Sequence, residues 1–142
     1  MEVLVTLQEV IDLINQADDP SGRKRPLPDD ALIEAYEEAL GRKFPDDYKV
    51  FLKTVSNAFV GFMSPFTLSA GMPGGYGDLI AGVHDARSVG VPEDWLPVCE
   101  DNGDYYCITP EGSVRFWGHD GASDEVWPDL ASWAHNVWLA GE

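Results

Sequence analysis

The 142-residue sequence is poor in positive charge. It holds 9 Lys and Arg residues against 25 Asp and Glu, a formal net charge of −16 at pH 7. Residues 1–53 carry seven cations and twelve acids, whereas residues 54–142 carry two cations and thirteen acids. Because nucleic-acid backbones and anionic lipids are repelled by such a surface, we expect neither direct nucleic-acid binding nor membrane binding. A basic protein partner would be attracted to it, although acidity alone also serves solubility.

Long apolar runs and targeting signals are also missing from the sequence. No apolar stretch approaches the roughly 20 residues that span a bilayer. The first residues, MEVLVTLQEV, contain neither a basic segment nor a small-residue cleavage site, so they are not typical of a secretory signal. The length suits one domain with a sizeable core. We therefore expect a single cytoplasmic domain over residues 1–142, and the sequence leaves its oligomeric state open.

Cysteine is scarce as well, with only Cys99 and Cys107. If Asn102-Gly103 forms a two-residue hairpin turn, Cys99 lies opposite Tyr106 and Cys107 lies opposite Val98. The two thiols then point to opposite faces of the sheet, whereas a three-residue turn would place them opposite each other. We favour the two-residue turn because Asn-Gly suits it, and we predict two free thiols, as is usual in the cytosol.

The first helix is indicated by a capping-box pattern. Thr6 and Glu9 are spaced for reciprocal capping, and apolar residues then repeat with helical periodicity over roughly 7–16. A polar, proline-rich linker follows at residues 18–28. Its basic run, Arg23–Arg25, is typical of a solvated linker and does not indicate nucleic-acid binding. We treat residues 7–28 as an N-terminal helix and linker.

The predicted core, residues 29–139, begins with two further helices. One starts at Asp29 and ends before Gly41, which suits the position after a helix. The next begins with Pro45 in its first turn and continues to about Val55. The apolar stripes of these helices comprise Leu32, Ile33, Tyr36, Leu40, Tyr48, Phe51, Leu52 and Val55.

The second half of the chain is predicted to be mainly β-structure. Residues 57–82 are rich in glycine and proline and are expected to form short strands and an ordered loop. Strands are predicted at 95–99, 104–108 and 113–117, and GHDGASDEV after the third is predicted to be a loop. A final helix is predicted from about Pro128, with Leu130, Trp133, Ala134 and Val137 as its apolar stripe. The predicted fold class is therefore α+β, with N-terminal helices, a mainly antiparallel β-meander and a C-terminal helix packed on the sheet.

The acidic stretch at residues 100–120 contains the residue types of a catalytic or metal site without their spacing. A cysteine nucleophile needs a nearby base and a lowered pKa, but Cys107 lies mid-strand without an evident cationic neighbour. Cys99, Cys107 and His119 lack the close spacing of common zinc ligands. Paired carboxylates would need a cleft, and turn chemistry explains the acids beside Asn102 more simply. We expect no catalytic residue, no metal and no cofactor.

Aromatic and acidic residues around the predicted loop indicate a protein-binding patch instead. Tryptophans dominate interface energies when they are surface anchors, although core packing accounts for most tryptophans. We predict that acids steer a partner and that two tryptophans anchor it. The predicted contact residues are Asp101, Asp104, Trp117, Asp120, Asp124, Glu125 and Trp127.

Residues 37–57, EEALGRKFPDDYKVFLKTVSN, resemble the signature of the SUKH superfamily. The similarity then continues through a Gly-Asp turn, an aromatic strand, a strand ending in His-Asp and a Trp-bearing helix, and covers about 29–139. One departure is Ser56–Phe59, where the family often has Asn-Gly-Gly, and it puts Phe59 and Phe62 near a possible surface. The matching residues are Glu37, Gly41, Phe44, Pro45, Tyr48, Phe51, Leu52, Asn57, Gly103, Asp104, Tyr105, Tyr106, Val114, Phe116, His119, Asp120 and Trp133.

The resemblance implies an α+β domain without enzymatic activity. Many bacterial members are immunity proteins that neutralise a toxin made beside them, including nucleases and deaminases, and fungal members regulate cell-wall synthesis. The leading hypothesis is an immunity protein whose partner is a cognate toxin with a basic surface. The second is a regulatory or scaffold module that binds another cytosolic protein. The third is a small enzyme that uses His119 and the neighbouring acids.

Overall fold

The computed structural model describes residues 5–19, 24, 26–61 and 63–141, and it confirms the predicted α+β class. Arg23, Arg25 and Phe62 lie outside these ranges. Within them, no helix is long and apolar enough to cross a membrane. The elements are α1 (Leu7–Ala17), α2 (Asp30–Leu40), α3 (Asp46–Val55), α4 (Leu79–Ser88), β1 (Leu96–Asp101), β2 (Asp104–Ile108), β3 (Val114–Gly118), β4 (Gly121–Trp127) and α5 (Leu130–Trp133), followed by a π-helical turn (Ala134–Trp138) and a 3-10 turn (Leu139–Gly141).

The first three helices begin and end at the predicted local signals. The Thr6 hydroxyl accepts from the Glu9 N–H at 3.1 Å, and the Glu9 carboxylate accepts from the Thr6 N–H at 3.3 Å, which completes the capping box. The Asp29 carboxylate caps α2, and Gly41 ends it with φ +69°. Pro45 is the cap residue of α3 and stands one position before its first helical residue.

Helix α4 was not predicted, because it follows directly on the glycine-rich stretch. Its cap is the buried Asp78, whose carboxylate accepts from the backbone N–H of Ile80 at 2.9 Å. Leu79, Val83 and Ala86 are buried at i, i+4 and i+7, so α4 does carry a helical apolar stripe. The helix packs against β1 and therefore covers one face of the sheet.

The sheet is an antiparallel meander in the order β1-β2-β3-β4. Strand β4 corrects the prediction of a loop at GHDGASDEV, since only His119 and Asp120 form the turn and Gly121 begins the strand. Every residue of β4 is exposed or only partly buried. An edge strand of this kind shows no alternation of apolar and polar residues, which is why the sequence pattern did not predict it.

The β1–β2 hairpin has the predicted two-residue turn. Cys99 lies opposite Tyr106 as expected, but Cys107 lies opposite Pro97 and not opposite Val98. The difference is a β-bulge at Val98, beside a proline that cannot donate to the ladder. The Val98 carbonyl accepts from the backbone N–H of Phe66 at 2.9 Å, so the bulge serves a tertiary contact. Both cysteines are buried and free.

The second face of the sheet is covered by the C-terminal helical segment. Trp133 packs on Tyr106 with ring centroids 5.4 Å apart, which confirms that this segment lies on the sheet. The buried stripe of this helical segment differs from the predicted one. Val137 is only partly buried, and Trp138 is buried instead. A π-helical turn has a longer repeat than an α-helix, so residues five apart share a face. The Trp138 indole donates to the carbonyls of Val60 and Met63, each at 3.1 Å.

Candidate partner-binding surface

One end of the sheet collects part of the predicted acidic surface. Alternate turns of an antiparallel meander lie at the same end, so the β1–β2 and β3–β4 turns are neighbours. Asp101 lies directly opposite Asp104, and Asp120 lies in the neighbouring turn. The Nδ1 atom of His119 is 2.8 Å from the Asp104 carboxylate and joins the two turns. The structure thus brings together three of the five predicted steering acids.

The other two predicted acids, Asp124 and Glu125, lie along the exposed strand β4. In the described part of the chain, β4 pairs with β3 on one side and with no strand on the other. Charged residues on an open edge prevent other strands from pairing with it. Asp124 and Glu125 can therefore protect the open edge of the sheet from pairing with another strand, whether or not they also contact a partner.

The two predicted anchors, Trp117 and Trp127, lie on opposite faces of the sheet. Trp117 is opposite Tyr105, and it packs edge-to-face on Trp95 with ring centroids 5.9 Å apart. Trp127 packs on Tyr106 at 5.7 Å. Both indoles are partly buried against the core. They do not form one patch, and their participation in binding stays a prediction.

A groove of about 610 Å³ lies beside the acidic end of the sheet. It is bounded by the segment after α3, the segment 63–67, residues 76–85 leading into and along α4, and the β1–β2 hairpin. These segments are distant in sequence, so no local motif could have indicated the groove. A volume of this size is within the range of small-ligand and side-chain binding sites.

Carboxylates and exposed aromatic rings line this groove. Asp85, Glu100 and Asp101 contribute acids, and no Lys, Arg or His is present among the described lining residues. Tyr76 is 90% exposed and Phe59 is 39% exposed at its border. Large exposed rings beside acids are unusual on a surface and are typical of interaction sites.

Tyr105 reports the negative potential inside the groove. Its ring is 5% exposed, and it lies opposite Glu100 in the hairpin. Burial raises the pKa of Tyr105, and the nearby charges of Glu100 and Asp85 raise that pKa further. Because Asp85, Glu100 and Asp101 line the groove and its described lining has no Lys, Arg or His, positive charge is favoured there.

A glycine in α4 allows the groove wall to form. A Cβ atom at Gly82 would lie 2.4 Å from the ring of Phe66, which is well inside van der Waals contact. Phe66 belongs to the segment that pairs with β1 through Val98. Because Gly82 has no side chain, α4 can approach the segment that contains Phe66 closely. Both Gly82 and Phe66 line the groove, which is open to solvent.

The comparisons with known proteins identify the family of this fold. A family model described as SMI1-KNR4 cell-wall, SUKH_5, matches residues 7–139. The chain belongs to the SUKH superfamily. A solved structure, a crystal structure of a protein from Pseudomonas syringae pv. tomato, has 33% sequence identity to this chain and a TM-score of 0.86, and the match covers 94% of this chain and 98% of that one. No curated protein sequence matches this SUKH chain significantly.

The SUKH signature residues in this chain mostly support the fold. Glu37 is buried, and its carboxylate accepts from the backbone N–H of Phe44 at 2.6 Å and lies 3.7 Å from the Lys49 ammonium. Tyr48 and Phe51 stack in the core with ring centroids 6.3 Å apart. A buried hydrogen bond from the Phe44 N–H to Glu37 thus links α2 to the segment just before α3. This bond explains the acidic residue and the Phe44-Pro45 pair of the signature.

The residues considered for chemistry do not assemble into one site. Burial, together with the nearby charges of Asp101 and Glu100, raises the pKa of Cys99 to about 12. Burial likewise raises the pKa of Cys107 to about 12, whereas His119 is exposed at the turn. A thiol with a raised pKa is a poor nucleophile and a poor metal ligand at neutral pH. Across the described ranges, no three His, Cys, Asp or Glu side chains are placed to hold a metal ion.

The groove residues had only partial signals in the sequence. Phe59 was expected near a surface because the segment Ser56–Phe59 departs from the family pattern, and the ring is exposed there. Tyr76 stands between glycines, where a ring has few neighbours to bury it. Asp85 belongs to the helix that was not predicted, so its place beside the hairpin could not be anticipated.

Proposed function

We propose that this SUKH domain is an immunity protein that binds and neutralises a cognate bacterial toxin by occluding it. The observation that carries the proposal is the acidic end of the molecule, where a groove with three carboxylates and no cation among its described lining adjoins the turns of the sheet. Family membership supports it, because immunity proteins are numerous among the bacterial members that the signature resembles.

The electrostatic argument favours a toxin that acts on nucleic acid. A nuclease or nucleic-acid deaminase needs a cationic surface to hold phosphates. A protein with a net charge of −16 would be attracted to that surface and would cover it without needing chemistry of its own. Asp101, Asp104 and Asp120 are the proposed steering acids, with Asp124 and Glu125 along the edge strand.

Identification of a toxin-like gene beside the gene for this domain, followed by co-expression of the two products, tests this proposal. We expect cells to grow when both proteins are made, to stop growing when the toxin is made alone, and the two proteins to purify together. We also expect one equivalent of the purified domain to abolish the activity of the toxin on its nucleic-acid substrate. Continued toxicity in the presence of the folded domain would contradict the proposal.

The second candidate is a regulatory or scaffold module that binds another protein. The description of the matching family by its cell-wall members favours it. This alternative predicts a stable complex with a protein that is not toxic by itself, so the growth test separates the two. A small enzyme is the third hypothesis, and turnover by the purified domain alone would support it. The cytoplasmic location stays a prediction that cell fractionation checks.

A further inference from the structure

We infer that the groove of about 610 Å³ receives an arginine side chain from an exposed segment of the partner protein. This inference rests on the proposed function, because it names the part of the toxin that the domain would hold. It also moves the centre of recognition away from the two tryptophans and towards the groove beside the β1–β2 hairpin.

The charge of the groove selects a cation. Asp85 approaches from α4, while Glu100 and Asp101 approach from the end of β1, so acids stand on two walls. The described lining contains no Lys, Arg or His, and the basic group near these acids is His84 outside the lining, whose Nδ1 is 3.8 Å from the Asp85 carboxylate. Nearby Lys24 is paired with Asp18 and is not among the lining residues. The carboxylates of the groove would therefore attract a positively charged group of a partner.

The shape and the rings favour a guanidinium group over other cations. Arginine is planar, donates in a fork that matches a carboxylate, and stacks on aromatic faces. Tyr76 and Phe59 provide exposed rings at the border of the same groove as the acids. Lys24 lies 5.8 Å from the centroid of the Phe59 ring, a cation contact within the chain that an incoming arginine would have to share or displace. A free metal ion would use the carboxylates but not the rings.

The segment that carries the arginine should be extended and narrow. The groove has walls from α4 and from the segment 63–67, and Gly82 keeps those walls close together. Asn102 lies at the border and has an amide that can pair with a peptide backbone. A loop or a chain terminus fits this description better than the side of a helix does.

A titration of the ¹⁵N-labelled full chain tests the inference without knowledge of the toxin. The probe is a short peptide with two arginines separated by glycine, and its control is the same peptide with citrulline, which has the shape of arginine without the charge. We expect the arginine peptide to shift the amide signals of 57–59, 76–85 and 100–105, and the citrulline peptide to leave them in place. Shifts spread evenly over the acidic surface would overturn the inference.

Matched variants separate the groove from general acidity. The triple variant Asp85→Asn, Glu100→Gln, Asp101→Asn should weaken binding of the arginine peptide about tenfold, since ion pairs near a surface are individually weak and this variant removes three carboxylates together. The control Glu34→Gln, Glu38→Gln, Glu111→Gln removes the same charge from exposed positions outside the groove and should weaken binding less than about threefold. Equal weakening by both sets would overturn the inference. If the groove triple variant does not fold, binding of the arginine peptide is measured to Tyr76→Ala instead. We expect this variant to bind the peptide more weakly than the wild type, because the inference places the exposed Tyr76 ring against the guanidinium group.

The same variants distinguish this inference from the proposed function. If the wild-type domain neutralises the toxin and the groove triple neutralises it equally well, the groove inference fails and the proposed function stands. If the wild-type domain does not protect cells from the toxin, the proposed function fails, and the peptide titration still decides whether the groove binds arginine.

Discussion

The Tyr36 hydroxyl donates a hydrogen bond to the Asp78 carboxylate, and both side chains are fully buried although they are 42 positions apart in sequence. The backbone N–H of Ser69 donates to the same hydroxyl at 2.7 Å, and the other Asp78 oxygen caps α4. This pair therefore holds α2, the glycine-rich stretch and the start of α4 together. Since α4 is one wall of the groove, the pair also fixes where that wall stands.

Replacement of Tyr36 by phenylalanine should destabilise the protein. The change leaves the Asp78 oxygen and the Ser69 N–H short of a hydrogen bond inside the protein, at a cost of about 1–3 kcal/mol. Urea unfolding measures this loss. The control is Glu111→Gln, at an exposed turn position, which should change the free energy of unfolding by less than about 0.5 kcal/mol. Equal stability of wild type and Tyr36→Phe would show that the buried pair contributes nothing.

Replacement of Gly82 by alanine should also destabilise the protein and should move the groove wall. The new methyl group would meet the ring of Phe66 at 2.4 Å, and overpacking of this kind typically costs about 1–3 kcal/mol. The better helix propensity of alanine offsets about 1 kcal/mol of that cost. Gly71→Ala is the control, because nothing lies within 4 Å of its added Cβ. A Gly82→Ala variant as stable as Gly71→Ala would contradict the close approach of α4.

The two buried thiols should make the protein sensitive to alkaline pH. Folding raises the pKa of Cys99 and of Cys107 from 9 to about 12. Below pH 9 both the folded and the unfolded chain keep these protons, so the thiols do not alter stability there. Between pH 9 and about 12 the unfolded chain loses them first, and the free energy of unfolding falls as pH rises.

Urea unfolding at about pH 8 and at about pH 10.5 measures the size of this effect. Between these two pH values, each thiol should lower the free energy of unfolding by about 2 kcal/mol. The variant Cys99→Ala, Cys107→Ala should lose less stability over the same interval, although its absolute stability at about pH 8 is lower because cavities are created. An identical pH dependence in wild type and variant would show that the thiols do not titrate as described. Thiol reagents should also label the folded wild type slowly at neutral pH.

Removal of the charges on β4 should promote self-association. The strand is an open edge in the described part of the chain, and Asp124 and Glu125 are its exposed charged residues. The variant Asp124→Thr, Glu125→Thr keeps a side chain suited to a strand and loses the repulsion that opposes edge pairing. Sedimentation velocity should show larger species than in the wild type. Unchanged sedimentation, together with weaker toxin binding, would assign these acids to the partner and not to the edge.

Local signals predicted the parts of the fold that local chemistry determines. The capping box at Thr6, the end of α2 at Gly41 and the turn at Asn102-Gly103 each depend on a few neighbouring residues, and each is confirmed. The bulge at Val98 was missed because its cause, the N–H of Phe66, is more than thirty positions away. The predicted stripe included Val137 and left out Trp138, because nothing local marks a switch from the α to the π repeat.

The candidate site was predictable in its charge and not in its shape. The acids Asp101, Asp104 and Asp120 were predicted from their charge to belong to one surface, and the structure places them in two neighbouring turns of the sheet. The groove required α4, which the glycine-rich surroundings concealed, and a close contact at Gly82 that only the packed structure reveals. The charge of the surface can be counted from the sequence, whereas the groove forms only when segments that are distant in sequence pack together.

The central claim is that the negative surface of this domain recognises a cationic partner protein. Stopped-flow measurement of the association rate constant between the domain and the neighbouring gene's toxin, over salt concentrations from about 0.05 M to about 0.5 M, tests it most directly. We predict that the rate constant falls by about tenfold or more as salt screens the attraction, while the dissociation rate changes little. An association rate constant that stays the same across this range would contradict the claim.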